Sequence, residues 1–156
     1  YGGGHGDGPP LRQRMLQELA GQLDLERIHF LGRVPHPMLM ALLQTSWVHV
    51  YLSYPFVLGW SLLEAMACGC CIVGSQCMPV KEAIEHNIEG RLIPMDQPEL
   101  LAMEVLQLLE NPEIRTRFGA AARRRALLYD QRLTLAAMTS LIEAHGSAES
   151  SIPVIS

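Results

Sequence analysis

The sequence predicts an α/β fold: a parallel sheet flanked by helices, followed by a helical C-terminal segment. Three observations carry this. Short runs rich in β-branched and aromatic residues alternate with helical patterns, which implies right-handed β-α-β units with helices on both sheet faces. Beyond about residue 97 the pattern is helix only, over about 97–109, 112–128 and 131–144. The 156 residues, 49% apolar and 18% charged, are about one domain's worth and enough to bury a single core.

The elements follow in order. Tyr1-Gly2-Gly3-Gly4 reads as the end of a strand whose body is absent, then a glycine-rich turn runs to Pro10. Leu11, Met15, Leu16, Leu19, Ala20 and Leu23 fall at helical spacing and predict a helix over about 11–23. Ile28-His29-Phe30-Leu31 is expected as a short strand ended by Gly32. Pro37 suits a first helical turn and opens a helix to about Thr45. Val48 to Ser53 is the next strand, rich in β-branched and aromatic residues. A helix over about 60–68, a strand at Cys71–Ser75, a short helix from Pro79 to Glu85 and a strand at Arg91–Pro94 complete the alternation. Asp96 and Asn111 are read as N-caps ahead of prolines. The expected organisation is one domain over 1–145, its first strand truncated, and a flexible tail over 146–156, where periodicity is lost.

Composition excludes several classes. A net charge of −4 does not suit a broad grip on nucleic acid, and Arg123-Arg124-Arg125 reads as a solvated helix face. No apolar run reaches the length of a membrane span, and the start is no signal peptide. The expected location is the cytoplasm, with the full-length protein peripheral at the inner face of the membrane. Cys68, Cys70, Cys71 and Cys77 lack the spacing of a metal site and read as small buried hydrophobes in a reducing compartment. His5, His29, His36, His49, His86 and His145 are dispersed, so no metal is expected.

In an open α/β sheet, ligands bind beyond the carboxyl ends of the strands. Three strand-to-helix loops are therefore candidates. The first, Gly2 to Gly8, is glycine-rich but contains neither G-x-G-x-x-G nor the P-loop pattern, and reads equally as a plain turn. The second runs from Tyr54 to Gly59 and starts the helix WSLLEAMA. Gly59 permits a close turn, and the free amides of Trp60 and Ser61 offer a phosphate hydrogen bonds and the positive end of the helix dipole. Glu64 lies five residues beyond Gly59, roughly 7 Å along the axis. It is a lone carboxylate among Leu, Ala and Met, expected to be buried, and such a group must be paired. At that distance it can accept from two vicinal ribose hydroxyls, or else pair with an internal cation or amide. The third loop, Ser75 to Glu82, brings Lys81 toward a helix start, as a phosphate contact or a solvated cation. Gly32 and Arg33 could frame a flat base, or Arg33 is a surface cation.

The stretches HFLGRVPHPMLMALLQTSWVHVYLS, GWSLLEAMACGCCIVGS and IEHNIEGRLIP, in that order, resemble the C-terminal domain of retaining GT-B glycosyltransferases. The likeness is to the group 1 class that includes sucrose and phosphatidylinositol-mannoside synthases. It covers about residues 6–128, and Gly6-Asp7-Gly8-Pro9 fits the family's first loop. The resemblance implies one half of a GT-B enzyme, with a Rossmann-like sheet that binds a nucleoside diphosphate sugar. It also implies an acceptor sugar, lipid or polysaccharide precursor held by a preceding N-terminal domain, and transfer with retention. The family's mark is E-x7-E. Its second glutamate, which contacts the donor ribose, matches Glu64. Its first falls on Phe56, which stacks on a sugar or acceptor or fills the gap. The glycine that follows is Val57, and the phenylalanine before Gly59 is Leu58. The family's phosphate-gripping Arg and Lys precede Tyr1. The leaving diphosphate is then expected to rest on helix-terminal amides and cations, and no Asp-x-Asp occurs to hold a metal.

Two rivals stand beside transfer. Phe56 motivates a nucleotide-sugar-binding domain that has lost catalysis, and a nucleotide-sugar epimerase could use the same fold. A dehydrogenase is disfavoured, since the strand before Gly32-Arg33 ends without an acidic ribose ligand. The isolated 156 residues are expected to be catalytically silent.

Overall fold

The computed structural model describes residues 11–53 and 58–149, which divide into two compact units at Val34. In the first unit, helix α1 spans Leu11–Glu18. It stops short of the predicted residue 23. Hydrogen bonds of the tighter i→i+3 kind follow (Ala20 N to Gln17 O, Gln22 N to Leu19 O), and Gly21, at φ +79°, turns the chain left-handed. The strand predicted at Ile28–Leu31 does not form among the described residues. A strand exists only as part of a ladder, and nothing described pairs with this segment. Phe30 instead lies under the Arg12 guanidinium, 4.6 Å from the ring centroid.

The second unit holds a three-stranded, wholly parallel sheet in the order β1-β2-β3: Val48–Tyr51, Cys71–Ser75 and Gly90–Ile93. Val48 pairs with Cys71 and Ile72 with Gly90, which fixes the register. Helix α2 (His36–Thr45) precedes β1, α3 (Trp60–Ala67) joins β1 to β2, and α4 (Met78–Ala83) joins β2 to β3. Then come α5 (Pro98–Glu110), α6 (Pro112–Ala126), a 3-10 turn at Leu127–Tyr129, and α7 (Gln131–Glu149).

Strand β2 is buried throughout, and its side chains alternate between two cores as a period of two requires. Ile72 and Leu92 face one core with Leu43, Leu62, Met66 and Val80, from α2, α3 and α4, and with Ile84 just after α4. Cys71, Val73 and Ile93 face the other, with Leu108 of α5 and Phe118 of α6. Helices thus cover both faces. Both crossover helices, α3 and α4, contribute to the same core, as crossovers of one hand between successive neighbours demand.

Local ties explain several residues. Asn111 caps α6, its Oδ1 accepting from Ile114 N at 3.1 Å. Asp96 does not cap α5: Gln97 occupies that position and makes no side-chain cap bond. Gln97 stands between Asp96 and Pro98, the first helical residue, so the aspartate falls one position outside the cap. In the turn before β3, Glu89 Oε2 accepts from Glu85 N at 2.7 Å and His86 Nδ1 from Leu92 N at 3.0 Å. Arg91 Nε and Glu104 Oε2 stand 3.1 Å apart, a contact of charge without hydrogen-bond alignment, and join β3 to α5. Helix α7 runs through Glu149, past the tail predicted from 146. Ala148 and Glu149 favour helix, so one glycine at 146 does not end it. No helix among the described residues is long and apolar enough to cross a membrane.

Candidate functional site

The carboxyl ends of β1 and β2 meet where α3 begins. Ser75, fully buried at the end of β2, clips the chain leaving β1: its hydroxyl donates to Ser53 O at 3.0 Å and accepts from Ser53 N at 3.1 Å. The chain re-enters at Gly59, whose amide donates to the Tyr51 hydroxyl at 2.8 Å. Both sides of the intervening loop are therefore anchored to the sheet. Phe56 and Val57, in that loop, lie outside the described residues.

Gly59 is the N-cap of α3, with an extended backbone (φ −76°, ψ 141°) open to any residue. A tight turn does not explain its identity. What needs a glycine is the neighbour: a Cβ there would meet Tyr51 Oη at 2.8 Å and Ser61 Oγ at 3.6 Å. Leu62 N closes the first helical bond, to Gly59 O at 3.1 Å. The amides of Trp60 and Ser61 have no partner among the described residues, as expected for the first turn of a helix. Trp60 is 79% exposed. Leu58 packs against the core beside Leu62 instead of facing solvent.

Helix α3 buries Leu62, Ala65 and Met66 against the sheet. Trp60, Leu63, Glu64 and Ala67 fall on another face, at helical spacing, and line a groove of about 370 Å³ with Arg123 of α6, Tyr129 and Asp130. A second groove, of about 420 Å³, lies between α2, α3 and α6, and Glu64, Ala67 and Arg123 line this one too. Glu64 therefore stands at the junction of the two.

Its setting differs from the sequence expectation. The Glu64 side chain is 29% exposed, not buried among apolar neighbours, because those neighbours point to the opposite side of the helix. It also has a partner. His36 Nε2 lies 2.8 Å from Glu64 Oε1, and since an ionised carboxylate only accepts, the imidazole donates. The charge of Glu64 reaches Cys68, whose thiol is raised above its usual range, chiefly by burial and then by this carboxylate, while Arg123 opposes the shift.

The remaining predicted site residues fall elsewhere. Lys81 is exposed in the last turn of α4, not its first. Gly32 (φ +63°) and Arg33 belong to the first unit, with Arg33 exposed. The basic run is not uniformly solvated: Arg125 donates to Glu82 O at 3.0 Å, while Arg123 faces both grooves. His36 and Arg123 are the residues that sequence reasoning passed over. Nothing in their spacing marks them, because His36 meets Glu64, and Arg123 shares its grooves, only through the packing of three helices. Among the described residues no three His, Cys, Asp or Glu side chains group as a metal site.

Comparison with known proteins supplies a context for this geometry. The chain is 33% identical, over 119 residues, to N-acetyl-α-D-glucosaminyl L-malate synthase of Bacillus anthracis, which covers 76% of this chain and 30% of that protein. It is 28% identical over 149 residues to phosphatidyl-myo-inositol mannosyltransferase of Mycolicibacterium smegmatis, covering 93% of this chain and 36% of the relative. It thus spans about a third of these proteins' length. Sucrose-phosphate synthase from Thermosynechococcus elongatus superposes on 88% of the chain with a TM-score of 0.78 at 25% identity, which takes up 34% of that enzyme. The Anabaena protein HepE, solved with UDP, shares the fold over 88% of this chain and 36% of its own, with a TM-score of 0.67 at 23% identity. The family model of the glycosyl transferases group 1 matches residues 6–125, and the chain belongs to that family, with the parallel sheet and flanking helices of the GT-B fold.

Proposed function

We propose that this chain is the donor-binding domain of a retaining, metal-independent glycosyltransferase, acting on an acceptor held by an N-terminal domain. One observation carries the reading. Helix α3 presents two amides that are unpaired among the described residues at its start and, one turn on, a partly exposed carboxylate facing two grooves. That is the order of groups a nucleoside diphosphate requires. Its pyrophosphate takes the amides of Trp60 and Ser61 and the positive end of the helix dipole. Its ribose hydroxyls donate to Glu64, four residues and roughly 6 Å along the helix. The diphosphate that leaves when the sugar departs keeps those amides, which are already oriented and need no reorganisation as charge develops. In this reading Lys81 lends distant positive charge. Trp60 lies beside the phosphates, and Leu58 supports the site from the core.

Family membership supports a transferase, and HepE, of the same fold, has been solved with UDP and with UDP-glucose. The N-terminal acceptor domain is supported by α7, which leaves Leu133, Leu135, Met138 and Ile142 exposed. We further propose a cytoplasmic protein, peripheral at the inner membrane face in its full-length form, with an acceptor sugar, lipid or polysaccharide precursor. The 156 residues alone are then catalytically silent, since the acceptor side is elsewhere. Phe56, in place of the family's first glutamate, favours a second reading, a domain that binds the donor without turnover. Transfer by the intact protein with any donor separates the two.

Calorimetric titration of UDP, GDP and ADP into the chain, with EDTA present, tests the proposal. One of the three is expected to bind, unaffected by EDTA. Binding by none, or binding only with added magnesium, contradicts it.

A further inference from the structure

We infer that His36 is a positioning residue for Glu64, and that ribose recognition at this site belongs to the pair. This rests on the donor-site reading above and adds a residue to it. The contact is direct, Nε2 to Oε1 at 2.8 Å, and joins residues 28 apart in sequence. Three features hold the imidazole where it is. Pro35, as N-cap of α2 at φ −60° and ψ 147°, and Pro37 in the first helical turn flank His36 and leave its backbone little freedom. Pro35 O also accepts from both Met38 N (3.0 Å) and Leu39 N (3.1 Å), which fixes the turn that carries it. Two helical turns on, Leu43 is buried in the core with Leu62 and Ala65 of α3, and Leu43 O accepts from Cys70 Sγ at 3.0 Å. The spacing between α2 and α3 is thus set by the core, and the His36–Glu64 distance follows from it.

The consequence is chemical. A carboxylate on a helix surface ordinarily samples several rotamers, and fixing a glutamate side chain costs entropy on binding. Here His36 has already fixed it. It occupies one of the four lone-pair positions of the carboxylate, on Oε1, while Oε2 has no hydrogen-bond partner among the described residues. A vicinal diol presents two O–H donors in a fixed relation, so a carboxylate of fixed orientation discriminates it from a single hydroxyl more sharply than a mobile one. His36 itself is 64% exposed, and its replacement leaves the core untouched.

The experiment compares wild type, His36→Ala, His36→Gln and Glu64→Gln by calorimetry. The ligands are whichever of UDP, GDP and ADP binds most tightly and its 2′-deoxy analogue. His36→Ala is expected to weaken the ribonucleotide roughly five- to tenfold, the range of one lost hydrogen bond, and the deoxy analogue by less than about twofold. His36→Gln, which still offers an N–H donor, is expected to restore most of the preference for the ribonucleotide. Equal losses for both ligands, or no loss in His36→Ala while Glu64→Gln weakens the ribonucleotide, overturn the role of His36 and leave the donor site standing. Unchanged affinity in Glu64→Gln overturns the donor-site reading itself. Unchanged melting temperatures in both His36 variants exclude misfolding as the cause.

Discussion

The hydroxyl of Tyr51 and the amide of Gly59 are joined at 2.8 Å, and a Cβ on Gly59 would meet that same hydroxyl at 2.8 Å. One contact therefore explains both why residue 59 carries no side chain and how the last residue of β1 holds the start of α3. Gly59→Val is expected to lower stability by about 1–3 kcal/mol, as overpacking does. It also loosens the helix start, and weakens a nucleoside diphosphate more than its nucleoside. The double-mutant cycle with Tyr51→Phe assigns the cause. Removing the hydroxyl relieves the clash, so the valine costs measurably less in the Tyr51→Phe background by urea denaturation. Strictly additive losses would show that Tyr51 is not what the valine meets.

Gly119 of α6 packs directly on the carbonyl of Gly69, the left-handed residue just after α3 (φ +78°), so closely that a Cβ would collide with backbone. Helix propensity alone favours Gly119→Ala by up to about 1 kcal/mol. The collision is with main chain that cannot rotate away, so the opposite sign is expected, a loss of about 2 kcal/mol or more. Chemical denaturation reads the sign. A stabilised Gly119→Ala would show that α6 and α3 can separate without penalty.

Cys70 and Cys71 are buried on opposite sides of the sheet, and burial foremost pushes both thiols from their usual value of 9.0 up to about 11. A folded-state value above the unfolded one means that the stabilisation is complete below pH 9 and is lost as pH rises toward 11. Stability should fall by up to about 2–3 kcal/mol for each thiol across that window. The Cys70→Ala, Cys71→Ala double variant should fall less steeply. Identical slopes would contradict it. Iodoacetamide at neutral pH should correspondingly modify the partly exposed Cys68 and Cys77 ahead of the buried pair.

How much of this was legible in the sequence depends on what each feature needs. Strand β2 and helix α3 are local patterns, an apolar β-branched run and an apolar stripe, and they form within a residue of expectation. Ile28–Leu31 has the composition of a strand, but pairing is a relation between segments and composition cannot supply the partner. The motif singles out Glu64 but carries no information on its exposure. Neighbours in sequence are not neighbours in space here: Leu62, Ala65 and Met66 turn to the sheet and Glu64 turns away. His36 carried no signal at all. Its position opposite Glu64 is created by Leu43 and Cys70, and only the packed helices reveal it.

The most direct measurement of the central claim, that Glu64 receives the ribose of a nucleoside diphosphate, is calorimetry of Glu64→Gln against three ligands. These are the nucleoside diphosphate, its nucleoside and inorganic pyrophosphate. A neutral amide accepts more weakly than a carboxylate, and hydrogen bonds to charged groups contribute about 1.5–3 kcal/mol. Affinity for the first two ligands should therefore fall roughly tenfold or more, while pyrophosphate, which never reaches Glu64, binds as before and the melting temperature holds. Unchanged affinity for the nucleoside diphosphate, or an equal loss for pyrophosphate, would contradict the claim.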